Sequence, residues 1–414
     1  MHASAWAGLA YAGVAAARLG LAWLNLRHLL REGHRVPRGL EREVNAERLH
    51  KARDYTAERA RFGLVHSLFS TLVTGSFLFG GGLAWFDGWL GGFGWGFVPS
   101  GVAFVALMLL VSAILEIPFQ LYGDFQIEQR HGFNRQTPRL WWSDWLKSTL
   151  LSLALSSALT AGALWLVQAA PNSWWIWVTA LISGVTLLMT FASPYVIEPL
   201  FYKMEPLEVE GLSDGIRNLT EKAGVHVGRV LKMDASRRSS HSNAYFTGLG
   251  RVKRVVLFDT LLAQMSHQQV LAVLAHELGH WKKHHVLVRM LVMQVVLIGA
   301  AYLAFRLVPS ELLPPLMGAS QASFLARVVL LMALGSLLSF PLTPLLSAWS
   351  RRDEREADRF AVDLHGHAHD LADALAKLGT ENLSNLHPHP LYAAFYYSHP
   401  PLAERIGTLR ALAS

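Results

Sequence analysis

Residues 274–305, LAHELGHWKKHHVLVRMLVMQVVLIGAAYLAF, set two different helices end to end. In the first part His276 and His280 are four apart, so on an α-helix they lie one turn above each other on the same face and can present two imidazoles to one ion. Glu277 projects from the adjoining turn, beside the open position of such an ion, where a carboxylate can take a proton from bound water. From Val286 to Phe305 the chain is almost wholly apolar, with Arg289 near the start. About 20 such residues in a helix cross the hydrocarbon core of a bilayer. Arg289 therefore either snorkels to the interface or faces the protein interior. A fold that contains this stretch has a metal-ligating helix next to a membrane helix.

Outward from it, six more stretches are long and apolar enough to span: 3–24, 63–85, 97–115, 148–168, 175–197 and 328–349. The first contains Arg18, and since no Lys or Arg precedes it, it reads as a span rather than a cleaved signal peptide. Composition agrees: of 414 residues 52% are hydrophobic and 16% charged, against roughly 25% charged in ordinary soluble domains. The net charge of +7 does not indicate nucleic acid, because the basic residues lie between apolar segments instead of forming one patch. With no cysteine, a disulfide framework, a Cys-ligated metal and a cysteine nucleophile are all excluded.

The loops alternate in basic content. Ten Lys or Arg fall in 27–62, and Arg130, Arg135, Arg139 and Lys147 in 123–147, whereas 87–96, 170–174 and 308–322 have none. Such asymmetry sets orientation. It places the N-terminus outside and the C-terminus in the cytoplasm. The sequence divides into a membrane bundle of five spans (1–200), a cytoplasmic α/β region with the HExxH helix (201–285), the last two spans (286–350) and a C-terminal cytoplasmic helical region (351–414). Within the α/β region a helix is expected over 213–223 with Ser213 as its cap, and strands over 229–233, 242–247 and 252–258, with Gly248 and Gly250 turning the last pair. Ser266 and Gln269 match a capping box that starts the HExxH helix.

Zinc in a catalytic site needs a third protein ligand, and residues 353–358, DEREAD, supply carboxylates right after the last span. Glu354 and Asp358 share a helix face, so Glu354 can ligate while Asp358 holds the outer nitrogen of a ligand histidine. Glu356 points elsewhere. Apart from this role, 353–378 reads as a surface amphipathic helix. His284 is not a ligand, since at i+8 it would lie about 12 Å along the axis from His276. It reads as an interfacial residue, with His285 and the two lysines.

Five blocks together resemble the type I CAAX prenyl proteases, polytopic zinc metallopeptidases: 122–134 (YGDFQIEQRHGFN), 239–262 (SSHSNAYFTGLGRVKRVVLFDTLL), 274–280 (LAHELGH), 351–361 (RRDEREADRFA) and 381–406 (ENLSNLHPHPLYAAFYYSHPPLAERI). The resemblance covers most of the chain beyond Arg27. It implies a predominantly α-helical integral membrane protein whose seven or so transmembrane helices enclose a chamber, joined to a cytoplasmic gluzincin-like zinc peptidase domain with a small β-sheet. It implies that His276, His280 and Glu354 hold one Zn²⁺ per chain, that Glu277 is the general base, and that peptide is cut near a lipidated C-terminal cysteine. Asn243, Ala244 and Tyr245 resemble the family's substrate-binding edge strand, against the alternative of an ordinary hairpin strand. His399 resembles a family histidine that stabilises the oxyanion, against a helix-start loop capped by Ser398.

The expected partners are a peptide or protein substrate, prenylated or not, and membrane lipid, with no nucleic acid. One rival reading is a quality-control metallopeptidase without prenyl specificity. Another is a transporter whose intramembrane residues such as Glu116 line a path, which would leave the zinc motif without a role. The ratio of 28 Arg to nine Lys and the lack of a dilysine tail point to a bacterial cell membrane, with the endoplasmic reticulum as the eukaryotic counterpart.

Overall fold

The computed structural model describes residues 3–37, 39–41, 44–249 and 252–412. Seven helices are long and apolar enough to cross a membrane: Ala3–Glu32, Ala46–Phe79, Phe97–Glu128, Pro138–Ala169, Trp174–Phe201, His285–Leu307 and Phe324–His365. Large apolar side chains face outward along them, Val295 69% and Leu338 80% exposed, as a lipid environment requires. At the end of the bundle away from the HExxH helix, a short helix, Gly82–Gly91, and the turn around Met317 close a core of Leu83, Phe104, Leu313 and Leu330.

Two spans end in π-helical turns, Gly123–Glu128 and Ser193–Ile197. The seventh has a 3-10 turn at Phe340–Leu342, where Pro341 has no N–H to continue the α-helical ladder. The helix resumes as Thr343–His365, so the end of the last span and Glu354 lie on one helix. The amphipathic pattern of 353–378 is likewise two helices. Gly366 takes φ 86°, the left-handed region that ends a helix, and Ala368–Glu381 follows.

Between the fifth and sixth spans lies a four-stranded sheet, β1 (Met204–Pro206), β2 (Arg229–Met233), β3 (Ala244–Leu249) and β4 (Val252–Phe258), in the order β1-β2-β4-β3. β2 and β4 are parallel and the other pairs antiparallel. β3 is therefore an edge strand. Ala244, Val255 and Leu257 bury one face of the sheet in the same core as Leu274 and Leu278 of the HExxH helix. On the opposite face, Tyr245 and Val256 meet Tyr202 and Met233.

The α/β region departs from expectation in four places. β1 was not expected. β3 starts at Ala244, because Ser242 is taken up by Gln264 and Asn382 (2.7 and 3.2 Å). Gly248 pairs with Lys253 inside the ladder, and Gly250 lies outside the described residues. The helix Leu212–Lys222 follows Gly211 at φ 75°, and Ser213 Oγ donates to the carbonyls of Leu207 and Val209 instead of capping.

Candidate active site

The HExxH helix is His267–Lys282. Its capping box is complete: Ser266 Oγ accepts from Gln269 N–H at 3.3 Å, and Gln269 Oε1 accepts from Ser266 N–H at 3.1 Å. Val270, Leu274 and Leu278 are buried. The other decisive contact is at Gly279, where an added Cβ would stand 3.0 Å from Ala357 Cα and 3.1 Å from its carbonyl oxygen. The absence of a side chain lets this helix and Thr343–His365 meet backbone to backbone, which brings Glu354, one turn before Ala357, under the two histidines.

There His276 Nε2 and His280 Nε2 are 3.2 Å apart, and the Glu354 carboxylate oxygens lie 3.2 Å from the first and 3.3 Å from the second. His276 Nδ1 is 2.9 Å from Asp358 Oδ1, so the ring proton is held on Nδ1 and the Nε2 lone pair faces the cluster. Glu354 Oε2 is buried and receives no hydrogen bond among the described residues. Two imidazole nitrogens and an orphaned carboxylate oxygen converging on one point form a donor set that fits a divalent metal ion with a position left open. Glu277, partly exposed on the same helix, has its carboxyl raised above the ordinary value by burial, as suits a proton acceptor.

The other expected residues fall around this centre. His399 brings Nε2 to 3.2 Å from Glu354 Oε1, with its own Nδ1 2.8 Å from Ser398 Oγ. Ser398 thus engages the histidine and does not cap the helix Leu402–Leu412. Asn243 precedes β3, its carbonyl accepting from Phe258 N–H at 3.1 Å. Tyr245 turns toward the membrane bundle, its hydroxyl donating to Glu198, which also takes Arg254 (3.1 and 2.6 Å). Glu356 is half-exposed and pairs with Lys283 at 3.3 Å. Glu116 pairs with His66 at 2.9 Å.

Two residues at the site escape sequence reasoning. Arg405, buried, donates to both Asp358 oxygens at 2.7 and 2.6 Å and lies 3.4 Å from Glu354. Its only signal is its place in the last of the five blocks. His285 is buried with Nδ1 3.1 Å from His280 Nδ1, so it is not interfacial as expected. The helix stops at Lys282, and His284, exposed at φ 58°, turns the chain so that the next residue folds back under the ligand. Arg289, itself half-exposed, pairs with the buried Asp353 at 2.7 Å.

Residues 206–413 match the model of peptidase family M48, and residues 25–203 match the CAAX prenyl protease N-terminal region, five membrane helices. The chain belongs to the M48 peptidase family. It is a membrane-embedded metallopeptidase of the CAAX prenyl protease 1 group. A CAAX prenyl protease 1 homolog from Arabidopsis thaliana is 36% identical over 388 residues, 90% of this chain and 89% of that protein. CAAX prenyl protease 1 of Saccharomyces cerevisiae is 32% identical, covering 91% and 88%. The crystal structure of Ste24p from S. mikatae superposes with a TM-score of 0.88 at 28% identity, over 97% of this chain and 99% of that one. These relatives are eukaryotic.

Proposed function

We propose that the chain is a zinc endopeptidase that cleaves prenylated CAAX-type peptides near their C-terminus, with its catalytic face and C-terminus in the cytoplasm. The observation that carries this reading is the convergence of His276, His280 and Glu354 on one point next to a helix that shares its core with an edge strand. A zinc ion bound there would polarise the scissile carbonyl and lower the pKa of a water.

The chain's own groups do the rest. Glu277 accepts the proton of the attacking water and returns it to the leaving amine. His399 donates from Nε2 to the developing oxyanion, its tautomer set by a Ser398 hydroxyl donating to Nδ1. The substrate lies extended beside β3 at Asn243, Ala244 and Tyr245, bonding to main-chain groups on the side away from β4. Asp358 fixes the tautomer of His276 and Arg405 fixes Asp358.

Two peptides ending in a CAAX cysteine sequence, one farnesylated and one not, test the assignment on purified protein. Cleavage of the farnesylated peptide should be preferred, abolished by phenanthroline and restored by zinc. Equal cleavage of both would refute prenyl specificity in favour of a quality-control peptidase.

A further inference from the structure

Arg352, Arg355 and Arg359 recur at i, i+3 and i+7 on Thr343–His365, so they share one face, roughly a third of a turn around the helix from Glu354 and Asp358. All three are exposed, and none forms an ion pair among the described residues. They line a cleft of about 490 Å³ together with Lys283, Glu356 and Asp363. Four cationic groups against two carboxylates leave it a net charge of +2, and one of the carboxylates, Glu356, is already engaged by Lys283.

The cleft's position in the chain is what identifies its occupant. Lys283 is two residues before the sixth span, whose first turn exposes Val286, Leu287 and Val288. Arg352 lies one turn beyond the apolar part of the seventh span. Cationic side chains therefore stand just above an outward-facing apolar strip, the arrangement that matches a phosphate headgroup over its acyl chains. A soluble anion would have no use for the strip. Among lipids, a zwitterionic headgroup would leave the excess positive charge unmatched, and an anionic one neutralises it.

We infer that the cleft between Lys283 and the Arg352/Arg355/Arg359 face binds the headgroup of an anionic phospholipid. The lipid braces the helix that holds Glu354, on an adjoining face. Near an anionic lipid surface each basic side chain contributes about fivefold in affinity, so removing three costs on the order of 100-fold.

Native mass spectrometry of the full chain in detergent, titrated with phosphatidylglycerol or phosphatidylcholine, reads this directly. Wild type should retain phosphatidylglycerol over phosphatidylcholine. The triple variant Arg352→Gln, Arg355→Gln, Arg359→Gln should lose that preference, and the corresponding triple Arg→Lys variant should keep most of it. A control that removes equal charge from the first span's basic end, Arg27→Gln, Arg31→Gln, Arg35→Gln, should behave as wild type. If the Gln triple does not fold, the two double variants Arg352→Gln/Arg355→Gln and Arg355→Gln/Arg359→Gln carry the same expectation at about 25-fold. Undiminished preference in the Gln variants, equal loss in the control, or displacement of the lipid by inorganic phosphate at equal concentration would each overturn the assignment.

Discussion

Asp358 is 6% exposed and Arg405 8%, and the carboxylate is shared between the guanidinium, at 2.6 and 2.7 Å, and His276 Nδ1, at 2.9 Å. Asp358→Asn keeps the volume and removes the charge, so no cavity complicates the result. Two separate losses follow. The buried guanidinium loses its hydrogen-bonded carboxylate and keeps only the more distant Glu354, at 3.4 Å, which costs stability at the low end of about 3–5 kcal/mol. His276 loses the group that fixes its tautomer, worth about 10 to 100-fold in metal affinity, or roughly 1.4–2.7 kcal/mol. The first exceeds the second, so the variant should fail in stability before it fails in metal binding. Adding Arg405→Met removes the stranded charge and replaces it with an apolar chain, which should recover most of the stability while metal affinity stays low. The half-life of inactivation in detergent, beside zinc titration against a competing chelator, measures both. If the double variant is no longer-lived than Asp358→Asn, Arg405 is not the source of the instability. If Asp358→Asn binds zinc as tightly as wild type, Asp358 does not hold His276.

Glu277→Ala leaves three ligands in place and should keep near-stoichiometric zinc while losing about 10² to 10⁴-fold in turnover, whereas Glu354→Ala should lose the metal as well; atomic absorption beside peptide cleavage separates them. Gly279→Ala adds a Cβ 3.0 Å from Ala357 Cα, so the two helices must part by a few tenths of an ångström and zinc affinity should fall, although alanine is the better helix former by about 1 kcal/mol; unchanged affinity would show that the close approach does not set the Glu354 distance. Because burial raises the Glu277 carboxyl and a base works only when deprotonated, activity should be lost on acidification at a pH above the ordinary glutamate value of 4.5, read as the acid limb of kcat/KM. A reporter fused after Ser414 should report cytoplasm, and an outside signal would contradict the orientation.

The parts that the sequence made legible are those where one local rule acts alone. Apolar length marks the seven spans, because in lipid a backbone can satisfy its hydrogen bonds only within a helix. Spacing of four marks His276 with His280 and Glu354 with Asp358, because a helix repeats its faces whatever surrounds it. Ser213 shows the limit of such rules: it has the right chemistry for a cap, yet its hydroxyl is drawn to two carbonyls and Gly211 turns the chain instead. The rest of the site depends on contacts between distant segments. Arg405 is 129 residues from the His276 ring it approaches, and nothing on its own helix distinguishes it from a solvated arginine until Asp358 is placed opposite. His285 is harder still, for its burial depends on a left-handed residue at His284 that ends the helical spacing on which the dismissal of His284 rested. Helical periodicity extended past Lys282 leaves both His284 and His285 at the interface, whereas only His284 is exposed and His285 is buried. Periodicity identifies what one helix presents, but the residues that hold those ligands in place come from where the chain leaves the helix and returns.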